Sequence, residues 1–228
     1  MAVKNSLAKP DFESASVKYE SNGTEVTLSP AIIRKYLVNG QGNVTNQEVV
    51  MFLNLCKAQR LNPFLKEAYL IKYGNQPATI VTGKEVFTKR ARRNKDYAGQ
   101  QAGIIVQKED GSIEQRIGTL RLDGEEIVGG WAKVFIKGYE QPAEITVSFD
   151  EYVGTKKDGE INSQWSKKPA TMIRKVALVQ ALREAFPEDF QGMYSAEEMN
   201  VIEPEADEPV TEVETEIIEA EMVDDPLS

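Results

Sequence analysis

The sequence predicts an α+β fold, in which helices precede an antiparallel sheet and one long helix packs on that sheet. Two observations predict it. Residues 97–149 contain apolar segments separated by Asp-Gly turns, a pattern typical of antiparallel strands. Residues 165–186 are apolar almost all round at helical spacing, which is typical of a helix buried on more than one side.

Three helices are predicted before the sheet. Serine is favoured at helix N-caps and proline at the first helical position, so Ser29-Pro30 marks the start of a helix. Thr45 and Glu48 have the spacing of a capping box, in which each residue satisfies a backbone N–H of the first turn. With the turn residues that end each segment, these signals place helices over residues 30–39, 46–62 and 83–94.

The strands are predicted from the alternation of apolar and polar residues and from the turn residues between them. Gly74-Asn75 separates two apolar segments, 67–73 and 78–82, which predict a hairpin. Four further strands are expected, of which the first three form a meander in chain order and the fourth follows Pro142. They cover residues 97–107, 113–122, 126–136 and 143–149.

Charge divides the chain into parts. Residues 1–194 carry 27 basic and 23 acidic residues, a net charge of +4, whereas residues 195–228 carry 13 acidic and no basic residues. A basic body with an acidic end is common among nucleic-acid-binding proteins, although like charges are also simply solvated. We therefore expect a flexible arm over 1–25, a core over 26–194, and an acidic, mostly disordered tail over 195–228. A short helix at 213–222 is possible within that tail.

Missing residue types exclude several kinds of chemistry. There is no histidine and one cysteine, so His-dependent catalytic triads and zinc sites built from Cys or His within one chain are excluded. Cys56 is expected to pack in the core. Gly83-Lys84 resembles the end of a phosphate loop, but Ala78 and Glu85 stand where that loop needs Gly and Ser or Thr. No cofactor is expected.

No membrane segment or targeting signal is found in the sequence. No apolar run approaches 18 residues, and the N-terminus lacks an apolar signal-peptide core. We expect a cytoplasmic protein.

Basic residues on the long helix are the main functional signal. Lys168, Thr171 and Lys175 fall within an arc of about 60° on successive turns. Cations on a buried helix are costly unless they line a groove that receives an anion, although lysine side chains can also extend to water. A second basic cluster, over residues 84–95, could neutralise several phosphates or could be a solvated helix face.

Three ordered blocks carry a resemblance to a known family. They are Leu61-Asn62-Pro63-x-x-Lys66-Glu67-x-Tyr69 with Gly83, then Trp165-x-x-x-Pro169-x-x-Met172-Ile173-Arg174, then Gln180-x-x-Arg183-x-Ala185-Phe186. Over residues 26–200 the chain resembles the phage RecT/Redβ (Bet) single-strand annealing proteins. The resemblance implies an ATP-independent recombinase that binds single-stranded DNA, forms rings or helical filaments, and anneals complementary strands. It also implies a phage 5′→3′ exonuclease and host single-strand binding protein as partners.

The resemblance implies DNA contacts at Lys66, Arg174, Lys175 and Arg183. This chain has Ala170-Thr171 where the phage-λ member has further basic residues, so phosphate contacts there are expected to differ. That member also has a helical C-terminal domain where this chain has an acidic tail. The full candidate DNA-binding set is Lys66, Lys84, Lys89, Arg90, Lys167, Lys168, Thr171, Arg174, Lys175 and Arg183.

Two other functions remain open from the sequence. One is a single-strand DNA-binding protein that does not anneal. The other is a metal-dependent nuclease, for which several carboxylates could hold Mg²⁺. Those carboxylates are Asp123, Glu125, Glu126, Asp150 and Glu151.

Overall fold

The computed structural model describes residues 12–156, 158–199 and 201. The strands are β1 (Val17–Ser21), β2 (Thr24–Leu28), β3 (Val38–Asn39), β4 (Ala68–Ile71), β5 (Thr79–Thr82), β6 (Tyr97–Gln107), β7 (Ile113–Ile117), β8 (Glu126–Ile136) and β9 (Ala143–Ser148). The helices are α1 (Pro30–Ile32), α2 (Asn46–Gln59), α3 (Lys84–Arg93), α4 (Phe149–Tyr152), α5 (Ser163–Lys167) and α6 (Pro169–Ala185). A π-helix, Ile33–Leu37, follows α1. The α+β class is confirmed.

The main sheet is antiparallel, with the strand order β7-β6-β8-β9. The predicted meander order is therefore wrong, because β6 and not β7 is the neighbour of β8. Both β6 and β8 have 11 residues and pair along nearly their whole length, whereas β7 has 5 residues and pairs only with Gly103 to Gln107 of β6. The predicted strand at 113–122 ends at Ile117, and the chain then crosses back over residues 118–125 to reach β8.

A hairpin of β1 and β2 covers part of the predicted flexible arm. Val26 and Leu28 are buried in the core. The Tyr19 hydroxyl donates to the Leu61 carbonyl at 2.6 Å and so attaches β1 to the chain that follows α2. The flexible-arm prediction is therefore wrong for residues 17–25, which form two paired strands, and residues 1–11 lie outside the described part.

The smaller sheet has the order β3-β4-β5 and contains the predicted hairpin of β4 and β5. Strand β3 pairs parallel to β4 through two residues, Val38 and Asn39. The first predicted helix is consequently shorter than expected, because its last residues form this strand.

The predicted helix starts of α1 and α2 are confirmed. The Ser29 side chain accepts a hydrogen bond from the Ile32 N–H at 3.2 Å. In the capping box, Thr45 Oγ1 accepts from the Glu48 N–H at 3.2 Å and Glu48 Oε2 accepts from the Thr45 N–H at 2.7 Å. Helix α2 ends at Gln59, three residues before the predicted end. Cys56 is fully buried in α2, and this burial raises the pKa of its thiol to about 12.

The predicted helix over residues 165–186 is two helices. Lys168 has φ −137° and ψ 52°, so the chain breaks between α5 and α6 before Pro169, since proline disfavours helical geometry in the residue before it. Helix α6 packs on β8 and β9 on one side and on α3 on another. Eight of its 17 residues are buried, as its apolar surface predicted.

The C-terminal part of the described chain packs back on the core. Ser195, Ala196 and Glu197 are buried, so the predicted start of the acidic tail at residue 195 is wrong. The Tyr194 carbonyl accepts from the Thr82 N–H of β5 at 2.8 Å. The rest of the predicted tail, including the possible helix at 213–222, lies outside the described residues. No helix of the described part is both long and apolar enough to cross a membrane.

Candidate functional site

A turn after α2 holds Lys66 in place. Asn62 Oδ1 accepts from the Phe64 N–H at 3.0 Å, and the buried Glu67 carboxylate accepts from the Asn62 N–H at 2.9 Å. A Cβ on Gly83 would lie 2.6 Å from the Lys66 carbonyl oxygen, so only glycine allows this approach. The residues of the Asn-Pro motif and Gly83 therefore have a structural role, which is to hold the backbone of Lys66. Lys66 itself has a φ of +58°.

Four cations from three separate parts of the chain line one cleft, which we call the lysine cleft. Its volume is about 380 Å³, and the first turn of α3 forms one wall. Gly83 is the N-cap of α3 and has no side chain, so it leaves the helix N-terminus without a side-chain cap. Such a terminus favours anions. The four cations are Lys66, Lys84, Lys89 and Lys175.

The ion pairs of these lysines differ. In the described part of the chain neither Lys66 nor Lys84 forms an ion pair. Lys89 Nζ lies 3.7 Å from Glu85 Oε2, and both side chains are exposed. Lys175 Nζ lies 2.7 Å from Oε1 of Glu197, whose side chain is only 5% exposed. The C-terminal segment therefore places a carboxylate against one lysine of the cleft.

A second cleft, at the start of α6, has a volume of about 480 Å³. Lys167, Lys168 and Thr171 line it, as does Arg121 from the loop between β7 and β8. Lys167 and Lys168 are exposed. Thr171 and Lys175 are one helical turn apart on α6, so this α6-start cleft and the lysine cleft lie along the same face of the helix.

The loop that carries Arg121 is fixed by ion pairing. Arg116 NH1 contacts Glu125 Oε2 at 2.7 Å and NH2 contacts Oε1 at 2.8 Å. Arg116 also donates to the Leu120 carbonyl at 3.2 Å. The Arg116 guanidinium lowers the pKa of the Glu125 carboxyl to about 2. Glu125, one of the candidate metal ligands, is thus an ionised partner of arginine.

The remaining three candidate cations contact protein groups. Arg174 Nε donates to the Ala102 carbonyl of β6 at 3.1 Å and joins α6 to the sheet. Arg183 NH2 contacts Glu198 Oε1 at 2.5 Å, and its guanidinium lies 4.7 Å from the Tyr194 ring centroid. Arg90 donates to Gln59 and, at 2.8 Å, to the Asp189 carbonyl. Burial lowers the pKa of Arg90, which nevertheless stays protonated.

Among the described residues, no three side chains of the metal-binding types Asp, Glu, Cys or His come together as a metal site. Apart from Glu67 and Glu85 in the lysine cleft, the charged groups that line the two clefts are ammonium and guanidinium groups. Such groups bind phosphate and carboxylate. The cationic groups of the two clefts can therefore bind an anion.

Comparison with known proteins decides the family. A model of the RecT family matches residues 25–213. The chain belongs to the RecT family. Its resemblance to the RecT/Redβ proteins is thereby confirmed.

A relative of this RecT family protein is found in Ureaplasma parvum serovar 3, where it is an uncharacterized protein. The two are 32% identical over 155 residues, which cover 67% of this chain and 61% of the relative. The matched part thus spans about three fifths of the length of the curated relative.

Two features of the site were missed by sequence reasoning. Arg121 was not singled out, although it stands between Leu120 and Leu122, and two exposed leucines in a polar turn are unusual. Glu197 and Glu198 were assigned to the tail because they begin its run of acids. The charge count alone could not show that they return to Lys175 and Arg183.

Proposed function

We propose that this chain is an ATP-independent single-strand DNA annealing protein that binds DNA in a basic groove made of the lysine cleft and the α6-start cleft. One observation carries the proposal beyond family membership. Lys66, Lys84, Lys89 and Lys175 come from separate parts of the sequence and meet in one cleft. A polyanion is the ligand that such a concentration of positive charge binds most favourably.

The proposed groove follows α6. A strand that enters at Arg121, Lys167 and Lys168 reaches Lys175 by passing Thr171, whose hydroxyl can donate to a phosphate oxygen. It then meets Lys66, Lys84 and the first turn of α3. Arg174, Arg183 and Arg90 belong to the predicted set as well. Their contacts with Ala102, Glu198 and Asp189 support a role in holding the walls of the groove.

The proposed mechanism is physical and involves no covalent step. The cations bind the phosphate backbone of one strand, which leaves its base edges accessible to a second strand. Complementary strands then gain about 1.4 kcal/mol of stacking per base-pair step on average. Because pairing itself supplies the free energy, no nucleotide hydrolysis is needed.

The proposal includes partners. A chain of this size contacts only a few nucleotides, so holding two strands together requires neighbouring copies along the DNA, in a ring or a helical filament. The annealed duplex intermediate would be held in the same assembly. A phage 5′→3′ exonuclease and a host single-strand binding protein are further proposed partners, and the acidic C-terminal residues are proposed to compete with DNA for the groove.

An assay with two labelled complementary oligonucleotides, with and without Mg²⁺, separates the three candidate functions. An annealing protein speeds duplex formation in both conditions and leaves the strands intact. A single-strand binding protein that does not anneal shifts the strands on a native gel without speeding pairing. Strands shortened only with Mg²⁺ would indicate the nuclease and would contradict the proposal.

Removing the carboxylate that neutralises Lys175 is expected to strengthen DNA binding. Glu197→Gln removes one negative charge beside Lys175, and the more positive groove should tighten DNA binding by up to about eightfold at 50 mM salt, the value of one phosphate contact. Fluorescence anisotropy with labelled single-stranded DNA measures this change. The advantage should shrink as salt rises, since the added contact depends on counterion release.

Glu25→Gln provides the matched control, because Glu25 pairs with Lys18 at 3.2 Å in the β1–β2 hairpin and lines neither cleft. It should change affinity little. If Glu197→Gln bound DNA no better than this control, Lys175 would have a structural role and would not be a DNA-binding residue of the groove.

A further inference from the structure

Three residues with an unusual backbone conformation lie on adjacent clefts. Asn22, Arg60 and Lys66 are the non-glycine residues with positive φ among the described residues, at 51°, 50° and 58°. Asn22 adopts this conformation with Gly23 in the turn of the β1–β2 hairpin, where it is favoured, whereas it is strained for the arginine and lysine side chains. Lys66 lines the lysine cleft, and Asn22 and Arg60 line a narrow cleft beside it.

The narrow cleft continues the lysine cleft along α3. The two share three lining residues, Glu67, Val86 and Lys89. Beyond Lys89 the narrow cleft is lined by Arg93, at the end of α3, and by Arg60, at the end of α2. A strand in the lysine cleft that runs parallel to α3 would therefore reach these two arginines next.

Arg60 stands where a glycine would suit the backbone better. It follows the last residue of α2 in the left-handed conformation, a position that helices commonly fill with glycine. Its backbone is held on both sides: its N–H donates to the carbonyls of Cys56 and Lys57, and its carbonyl accepts from the Ser21 hydroxyl at 2.7 Å. Its side chain is exposed and has no ion-pair partner in the described part of the chain.

The neighbouring Arg93 is oriented by Asn22. Arg93 NH1 donates to Asn22 Oδ1, and Asn22 Nδ2 donates to Glu67 Oε1 at 3.4 Å. Glu67 is itself occupied by the Asn62 N–H. The network fixes one edge of the Arg93 guanidinium, which has five N–H donors in all, so other donors stay available.

We propose that Arg60 and Arg93, with Asn22 as a positioning residue, form a phosphate-binding subsite that extends the DNA-binding groove past Lys89. The inference rests on the proposed single-strand binding function. Its ligand is a phosphodiester group of the bound strand, which guanidinium groups can contact through two parallel hydrogen bonds. The side chain of Arg60, and not its backbone conformation, is thus the part that serves this subsite.

Arg60→Gly separates the role of the side chain from that of the backbone. Glycine adopts a φ of 50° freely, so the variant should melt no lower than the unchanged protein. Its affinity for single-stranded DNA should fall about eightfold at 50 mM salt, and the slope of log affinity against log salt should flatten by about 0.7. Arg93→Gln should show the same loss.

Arg92→Gln is the matched control, since Arg92 neighbours Arg93 in sequence but lines neither cleft. It should bind within about twofold of the unchanged protein, as expected for a charge that makes no phosphate contact. Unchanged affinity and salt slope in Arg60→Gly would overturn the subsite. The double variant Lys66→Gln with Lys84→Gln is measured in parallel. If the double variant loses affinity while Arg60→Gly does not, only the proposed subsite is wrong. If neither variant loses affinity, the proposed DNA-binding groove is wrong as well.

Discussion

Replacing Lys66 and Lys84 together by glutamine is expected to weaken binding of single-stranded DNA roughly 50-fold at 50 mM salt, because two phosphate contacts are lost. The salt dependence should flatten by about 1.4 in the slope of log affinity against log salt, and the loss should be similar for every DNA sequence. Neither lysine forms an ion pair in the described part of the chain, so the fold should be unaffected. Anisotropy titrations at several salt concentrations measure both quantities.

A double variant of equal charge provides the control for this experiment. Lys18→Gln with Lys156→Gln removes two lysines that pair with Glu25 and Glu160 on the surface, outside both clefts. Its affinity should stay within a few-fold of the unchanged protein. Equal losses in the two double variants would mean that binding follows net charge and not the lysine cleft.

Gly130→Ala is expected to destabilise the protein by about 2–3 kcal/mol, since it forces a packed helix away from the sheet. A Cβ on Gly130 of β8 would lie 2.6 Å from the Ile173 carbonyl oxygen and 3.2 Å from Ile173 Cγ1. Helix α6 would have to shift, and it carries Thr171 and Lys175. Thermal unfolding should show a midpoint lowered by roughly 5–10 °C, with weaker DNA binding below the transition.

Gly118→Ala distinguishes the clash from a general cost of replacing glycine. A Cβ on Gly118 meets no atom within 4 Å, although its φ is +84°, so only backbone strain of about 1 kcal/mol is added. If Gly130→Ala were no less stable than Gly118→Ala, the close approach of α6 to β8 would not hold in solution.

Much of the fold was predictable from local signals. The capping box of Thr45 and Glu48, the Ser29 cap and the strands β6 and β8 all follow from residue types within one element. Features that depend on distant partners were not predictable. The β1–β2 hairpin is an exception, because Asn22-Gly23 between two alternating segments is a local hairpin signal that the flexible-arm prediction left out of account. The position of β7 depends on the crossing loop and not on β7 itself.

The site was predictable in kind but not in arrangement. The abundance of cations in residues 84–95 and on α6 indicated an anion-binding surface, and the resemblance indicated Lys66 and Lys175. Spacing could not show that Lys66, Lys84, Lys89 and Lys175 share a cleft, because the Asn62 turn and Gly83 bring them together only in the fold. Nor could it show that Glu197, 22 residues from Lys175 in sequence, returns to pair with it.

The most direct test of the annealing proposal is the initial rate of duplex formation between complementary oligonucleotides in EDTA with no nucleotide. Fluorescence quenching between labels on the two strands reports this rate. The protein is predicted to anneal the strands much faster than they pair alone, and Lys66→Gln with Lys84→Gln is predicted to lose most of that acceleration. A rate for the unchanged protein no higher than the spontaneous one would contradict the account.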